Sequence, residues 1–234
     1  MHACIQAILF DAGDTLFRVR GSVGTVYAET AARHGVTVSA HEVDTQFRSA
    51  FRAMPPLAFP GVAPDALADH EYEWWKRLVR DVFHGVTFTD FDRFYDDLFQ
   101  RFGRAEVWEL FDDVRPTLAG LQAGGFRLAI VSNFDSRLRN ICDGLGITPA
   151  FEAIVTSGGA GAAKPDPAIF LGAVAVLKLE PDQVLHVGDS LREDVAGARA
   201  AGLHAVHLLR GGREPSANPT IATLAELLGV LKPA

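Results

Sequence analysis

The chain has 234 residues, 48% of them hydrophobic and 22% charged, with a formal net charge of −7. That balance excludes a disordered chain and disfavours a nucleic-acid-binding face, which needs a basic surface. It leaves room for one large domain, or for a core with a smaller unit attached. Apolar runs stay short of the roughly 18 residues that would signal a membrane span, and the N-terminus lacks the basic-then-apolar pattern of a signal peptide. Cys4 and Cys142 lie far apart and read as reduced, buried thiols rather than a disulfide or zinc site, so a cytoplasmic protein is expected.

Ile5-Gln6-Ala7-Ile8-Leu9-Phe10 is apolar at five of six positions, the pattern of a strand buried on both faces. It stops at Asp11, where Gly13 and Asp14 mark a turn. Alone, Asp11 fits a loop acid as well as a functional group. Phe17-Arg18-Val19-Arg20-Gly21-Ser22 alternates and then breaks, as a short hairpin or flap would. From 23 to 110 the periodicity is helical. Val26, Thr30 and Ala31 share one helical face before His34-Gly35, and a second helix covers 39–53. After a proline-rich loop over 55–64, Leu67, Tyr72, Trp75, Leu78, Val79 and Val82 stripe a third helix within 64–83. Phe91, Phe94, Tyr95, Leu98 and Phe99 stripe a fourth over 90–102. Helices of this kind bury their stripes against each other, which predicts a small bundle with the aromatics as its core.

From 113 onward helix and strand alternate, the signature of a parallel α/β sheet. Helices are expected over 116–122, 136–145, 168–177, 192–201 and 220–231, and strands over 126–131, 152–156, 184–187 and 205–209. A glycine-rich loop follows Thr156. The expected fold class is α/β: a doubly wound parallel (Rossmann-like) sheet formed by 1–17 and 112–234, with a helical domain, 18–111, inserted after the first strand.

Asp11, Ser132 and Asp189 then follow the first, second and fourth strands, and Lys164 lies in the connection between the third and fourth. Parallel strands open on one edge, so these side chains can converge, and Asp194 begins a helix whose preceding loop can return it to the same crevice. Each has a structural alternative: Ser132 as a helix cap, Lys164 as a solvated loop residue, Asp194 as an acid at a helix N-terminus. Together, Phe10-Asp11-Ala12-Gly13-Asp14-Thr15-Leu16, Val131-Ser132-Asn133, Lys164-Pro165-Asp166-Pro167 and Gly188-Asp189-Ser190-Leu191-Arg192-Glu193-Asp194 resemble the four ordered motifs of the haloacid dehalogenase-like hydrolase superfamily. The insert resembles that family's helical cap.

The resemblance implies a phosphatase-like hydrolase in which Asp11 attacks phosphorus and forms an aspartyl-phosphate. It implies Mg²⁺ held by Asp11, Asp189 and the backbone carbonyl of Gly13, with Asp194 direct or through water. Ser132, with Asn133 as a lesser candidate, would bind phosphate oxygens, and Lys164 would neutralise charge. The implied partner is a small phosphorylated molecule, with Arg18, Arg20, Arg48 and Arg52 as candidates to meet its anionic groups. One departure matters. Phosphatases of this family usually carry a second Asp two residues after the nucleophile, as general acid and base, where this chain has Gly13. Asp14 is next to that position and substitutes only if the loop redirects it. Metal-free 2-haloacid dehalogenases also lack that Asp. Dehalogenation and phosphate binding with little turnover therefore stand as alternatives. Phosphonatases use a lysine of the cap, and Lys76 is the only lysine between 18 and 110.

Overall fold

The computed structural model describes residues 5–212 and 219–231; Cys4 lies outside them. Strand β1 (Ala7–Phe10) has no solvent-exposed side chain, and its residues alternate between two apolar layers. Ile8 and Phe10 enter one core and Ala7 and Leu9 the other, as the period-2 pleat requires. Strand β2 (Phe17–Val19) leads to helices α1 (Val23–Arg33), α2 (Ala40–Ala53), α3 (Leu67–Val82) and α4 (Phe91–Phe102), then to β3 (Trp108–Leu110). There follow α5 (Val114–Ala123), β4 (Arg127–Ser132), α6 (Leu138–Gly144), β5 (Ala153–Thr156), the single turn α7 (Ser157–Ala160) and α8 (Pro167–Leu177). The chain continues through β6 (Val184–Gly188), a wide π-type turn over Leu191–Ala196, α9 (Gly197–Ala200), β7 (His204–Leu208), β8 (Thr220–Ile221) and α10 (Leu227–Val230).

Six strands form one parallel sheet in the order β5-β4-β1-β6-β7-β8, so β1 sits centrally, between strands far from it in sequence. Side-chain caps start the helices where the sequence places short polar residues: Ser22 accepts from Thr25 N at α1 and Asp90 from Arg93 N at α4. Asp166 accepts from Ala168 N at α8, with Pro167 in the first turn. Helices α1–α4 lie between β2 and β3 and share one apolar core with a face of the sheet. Among the described residues, no helix is long and apolar enough to cross a membrane.

The structure corrects three expectations. The segment after β1 is no local hairpin: β2 pairs antiparallel with β3, matching Arg18 with Glu109 and Phe17 with Leu110 across the whole insert. The two strands that lead into and out of the helices thus form one ribbon. The glycine-rich stretch after β5 closes into a turn of helix because Thr156 accepts a hydrogen bond from Gly159 N. The expected helix over 220–231 opens instead with β8, which adds a sixth strand, and only Leu227–Val230 is α-helical.

Candidate active site

Register brings the site together. Phe10 pairs with Ile130 on one side and Val187 on the other, so Asp11, Ser132 and Asp189 leave adjacent strands at the same edge. Asp11 is buried and its N–H donates to Val187 O at 2.9 Å. The ammonium of Lys164, itself only 4% exposed, donates to Asp11 Oδ1 at 2.7 Å and to Asp194 Oδ1 at 2.6 Å. Asp194 also accepts from His186 Nε2 at 2.8 Å and from Ser190 N at 2.9 Å. Gly188 makes this return possible: a Cβ there would meet the Asp194 carboxyl carbon at 2.2 Å.

Asp11, Asp189 and Asp194 each present a carboxylate oxygen, and the three atoms lie within 4.8 Å of one another. At an effective dielectric near 20, each like-charge pair at this separation costs about 3 kcal/mol. One lysine cannot cancel three carboxylates. The all-oxygen donor set suits a hard divalent cation, which could be held here. Electrostatics follow the crowding. Asp189 reaches solvent, yet partial removal from water, and then the charges of Asp11, Asp194 and Asp14, push it up to about 7. Burial alone would raise Asp194; the His186 hydrogen bond and the Lys164 charge outweigh it and hold this carboxyl well below the ordinary range. Burial would lower the Lys164 ammonium, but Asp11 and Asp194 outweigh it and raise its pKa, keeping it charged.

Asp14 has a φ of 55°, in the left-handed region that asparagine and aspartate tolerate best. Its carboxyl is raised by partial burial and then by Asp11, against the pull of Arg18 and Arg210. This loop is anchored by a residue that follows β7, because Arg210 donates to Thr15 O at 2.7 Å while gripping Asp113 with both terminal nitrogens. A Cβ on Gly13 would have no heavy atom within 4 Å.

Ser132 is buried at the end of β4 beside this cluster. Asn133 follows Ser132 and bonds across to the segment that carries the lysine. Its amide clasps the main chain of the Lys164 residue, donating to Lys164 O at 3.0 Å and accepting from Lys164 N at 2.7 Å, and it also donates to Glu193. It positions the lysine. Arg18 and Arg20 pair with Glu109 on the ribbon, and Arg48 and Arg52 line an exposed groove on α2 with Thr45 and Ser49, so none of the four joins the carboxylate cluster. Sequence reasoning passed over His186 and Glu193. A histidine inside the apolar run Val184–Gly188 was the available signal, since a buried ring needs a polar partner.

The helical insert meets this edge through polar contacts of α3 and α4. Glu71 of α3, 1% exposed, accepts from Ser136 N at 3.1 Å and Ser136 Oγ at 2.5 Å. Trp75 Nε1, one turn further on, donates to Asp135 Oδ2 at 2.6 Å. Arg137 grips the same aspartate, donates to Phe99 O at 2.9 Å, and stacks 3.8 Å over the Phe99 ring. Beside these contacts lies a cavity of about 90 Å³, lined by aromatics of the insert, by Val19 and Trp108 of the ribbon, and by Phe134 and Arg137 of the core.

Fold and site together define an α/β protein with a cluster of charged side chains at the carboxyl edge of its parallel sheet, where open sheets of this kind bind ligands. The haloacid dehalogenase-like hydrolase family model matches residues 5–202, and the chain belongs to that family. A relative from Bos taurus, haloacid dehalogenase-like hydrolase domain-containing protein 3, is 36% identical over 215 residues, covering 90% of this chain and 84% of its own. The crystal structure of a HAD phosphatase from Thermococcus onnurineus superposes with a TM-score of 0.68 at 25% identity, covering 97% of this chain and 98% of that one. A 2-haloacid dehalogenase from Pseudomonas syringae pv. Tomato superposes with a TM-score of 0.65 at 26% identity, with the same coverage.

Proposed function

We propose that this hydrolase is a cytoplasmic, Mg²⁺-dependent phosphatase of a small phosphorylated metabolite. The observation that carries the reading is the set of three carboxylates within 4.8 Å, with Lys164 paired to two of them and His186 bonded to one. The buried Cys142 thiol, pushed up to about 12, is chemically quiet and suits a reducing compartment. When bound, Mg²⁺ would be held by Asp11, Asp189 and the Gly13 carbonyl, with Asp194 direct or through water, and would let an anionic nucleophile approach an anionic phosphoryl group.

In this reading an Asp11 oxygen attacks phosphorus, the bond to the leaving oxygen breaks, and the leaving oxygen takes up a proton. Water then attacks the phosphorus of the aspartyl-phosphate, releasing phosphate and restoring Asp11. Lys164 supplies fixed positive charge to nucleophile and phosphoryl oxygens, held in place by Asn133 and Asp194. Ser132 binds a phosphoryl oxygen. His186 orients Asp194. Asp14 is the proton carrier nearest the position that Gly13 leaves empty, and its left-handed backbone supports that assignment. The insert 18–111 serves as the cap over the site, with Glu71 and Trp75 as its contacts to the core.

The rival reading is carbon–halogen hydrolysis, which calls for no cation among the carboxylates. The two separate in one experiment: phosphate release from an aryl phosphate and halide release from a 2-haloacid, each with Mg²⁺ and with EDTA. Phosphate release that needs Mg²⁺ and disappears in Asp11→Asn supports the proposal. Halide release in EDTA overturns it, and Mg²⁺-dependent binding of a phosphate mimic without turnover of any phosphate ester favours a binding protein.

A further inference from the structure

Helix α8 lacks the polar outer face that a surface helix normally carries. Ile169, Phe170, Ala173, Val174 and Leu177 are buried against the sheet. The opposite face is Ala168, Leu171, Gly172, Ala175 and Val176, all exposed, with Leu171 at 43% and Val176 at 58%. By contrast, α3 presents Asp69, Glu73, Arg77 and Arg80 to solvent. The bareness continues beyond the helix. From Ala153 to Leu177 the only charged residues are Lys164, buried in the site, and Asp166, in a chain that is 22% charged. This segment includes β5, an edge strand of the sheet, and α7, and neither contributes a charged side chain.

Two exposed charges bracket the face: Asp166 at the N-cap of α8 and Lys178 at its C-cap. They stand six residues either side of Gly172, just as Ala168 and Val176 stand four residues either side of it. We propose that this face packs against the same face of a second copy of the chain, with the two α8 helices antiparallel about a two-fold axis near Gly172. That arrangement sets Asp166 of each copy beside Lys178 of the other and the small Ala168 against the larger Val176. Parallel helices would instead place like charges together. A Cβ on Gly172 would have no neighbour within 4 Å, so the helix backbone is open to close approach at the axis. The helix is about 16 Å long. Its outer face alone falls short of the roughly 800 Å² per partner of a stable interface, so the dimer is a weak, micromolar one.

Sedimentation velocity on the full chain from about 1 to 500 μM at low salt is expected to show a monomer–dimer equilibrium. Leu171→Glu, at an exposed position, should raise the dissociation constant at least about tenfold with an unchanged circular dichroism spectrum. Lys178→Glu should also weaken the dimer, less so at high salt. In a Cys4→Ala background, Gly172→Cys should form a covalent dimer on mild oxidation far faster than Arg48→Cys on the exposed α2. A chain that stays monomeric throughout, a dimer indifferent to Leu171→Glu, or equal cross-linking at 172 and 48 overturns the proposal.

Discussion

The ammonium of Lys164 sits 2.7 Å from the carboxylate of Asp11, a residue 153 positions away, and the same ammonium is the partner of Asp194. In Lys164→Met the carboxylates lose that cation, so stability in EDTA should fall by about 3–5 kcal/mol. Denaturant titration measures this directly. Mg²⁺ should restore more stability to the variant than it adds to the unaltered chain, whereas turnover should stay at least about 10³-fold down because the fixed charge on the phosphoryl group is gone.

Gly13→Asp installs the acid that the family's phosphatases usually have, in a place with no steric obstacle. The expected result is a rise in kcat of about 10²-fold on alkyl phosphates, whose leaving alkoxide needs a proton, and little change on aryl phosphates. The complementary variant is Asp14→Asn, expected to lower alkyl phosphate turnover by about 10–10²-fold if this residue already carries the proton. Equal kcat on both substrate classes in both variants would exclude either residue as acid.

Asp189 sets a pH dependence for the metal-free protein. Its folded pKa of about 7 exceeds the ordinary value near 3.9. The native state therefore binds the proton more tightly than the unfolded chain, a contribution complete below about pH 4 and lost as pH rises through 7. In EDTA the melting temperature should fall between about pH 5 and 8, by only a few degrees because the side chain reaches solvent, and Asp189→Asn should flatten that fall. Mg²⁺ competes with the same proton, so calorimetric titration should show affinity rising with pH and levelling above about 7.

Much of the fold was legible because its strands are buried on both faces. Runs such as Leu128–Val131 and Val184–Val187 leave little alternative to a central parallel sheet. The four insert helices were legible for the complementary reason, their one-sided stripes. What escaped depends on partners distant in sequence. Trp108–Leu110 is a strand only because Phe17–Val19 lies alongside it, and Thr220–Ile221 is one only because β7 offers an open edge. In the site, Asp11 and Asp189 stood out in the sequence by their places after strands, Lys164 by its place in a connection and Asp194 by its place at a helix start, and the structure brings the four side chains together. His186 was hidden inside a strand that reads as purely structural, and Asn133 proved to hold the lysine's backbone. Glu71 falls in line with Leu67, Trp75 and Leu78 at helical spacing, an acid within an apolar stripe, but its partner Ser136 is 65 residues away and only the docking of α3 supplies it.

That docking gives a double-mutant test. Burial, against the opposing pull of the Ser136 hydrogen bonds, raises the Glu71 carboxyl, and a Cβ on Gly158 would lie 2.3 Å from Glu71 Oε1. Glu71→Ala strands the Ser136 N–H and hydroxyl and should cost about 1–3 kcal/mol. Gly158→Ala forces the carboxylate off Ser136 and should cost a similar amount. If the two changes break the same contact, their costs do not add: Gly158→Ala in the Glu71→Ala background should be close to neutral, with a coupling of at least about 1 kcal/mol in urea denaturation. Additive losses would mean that Gly158 is required for a reason unrelated to α3. If the insert shapes the substrate site as a cap, both single variants should also raise KM more than they lower kcat, because the contact they break orients the insert and touches none of the carboxylates that carry the chemistry.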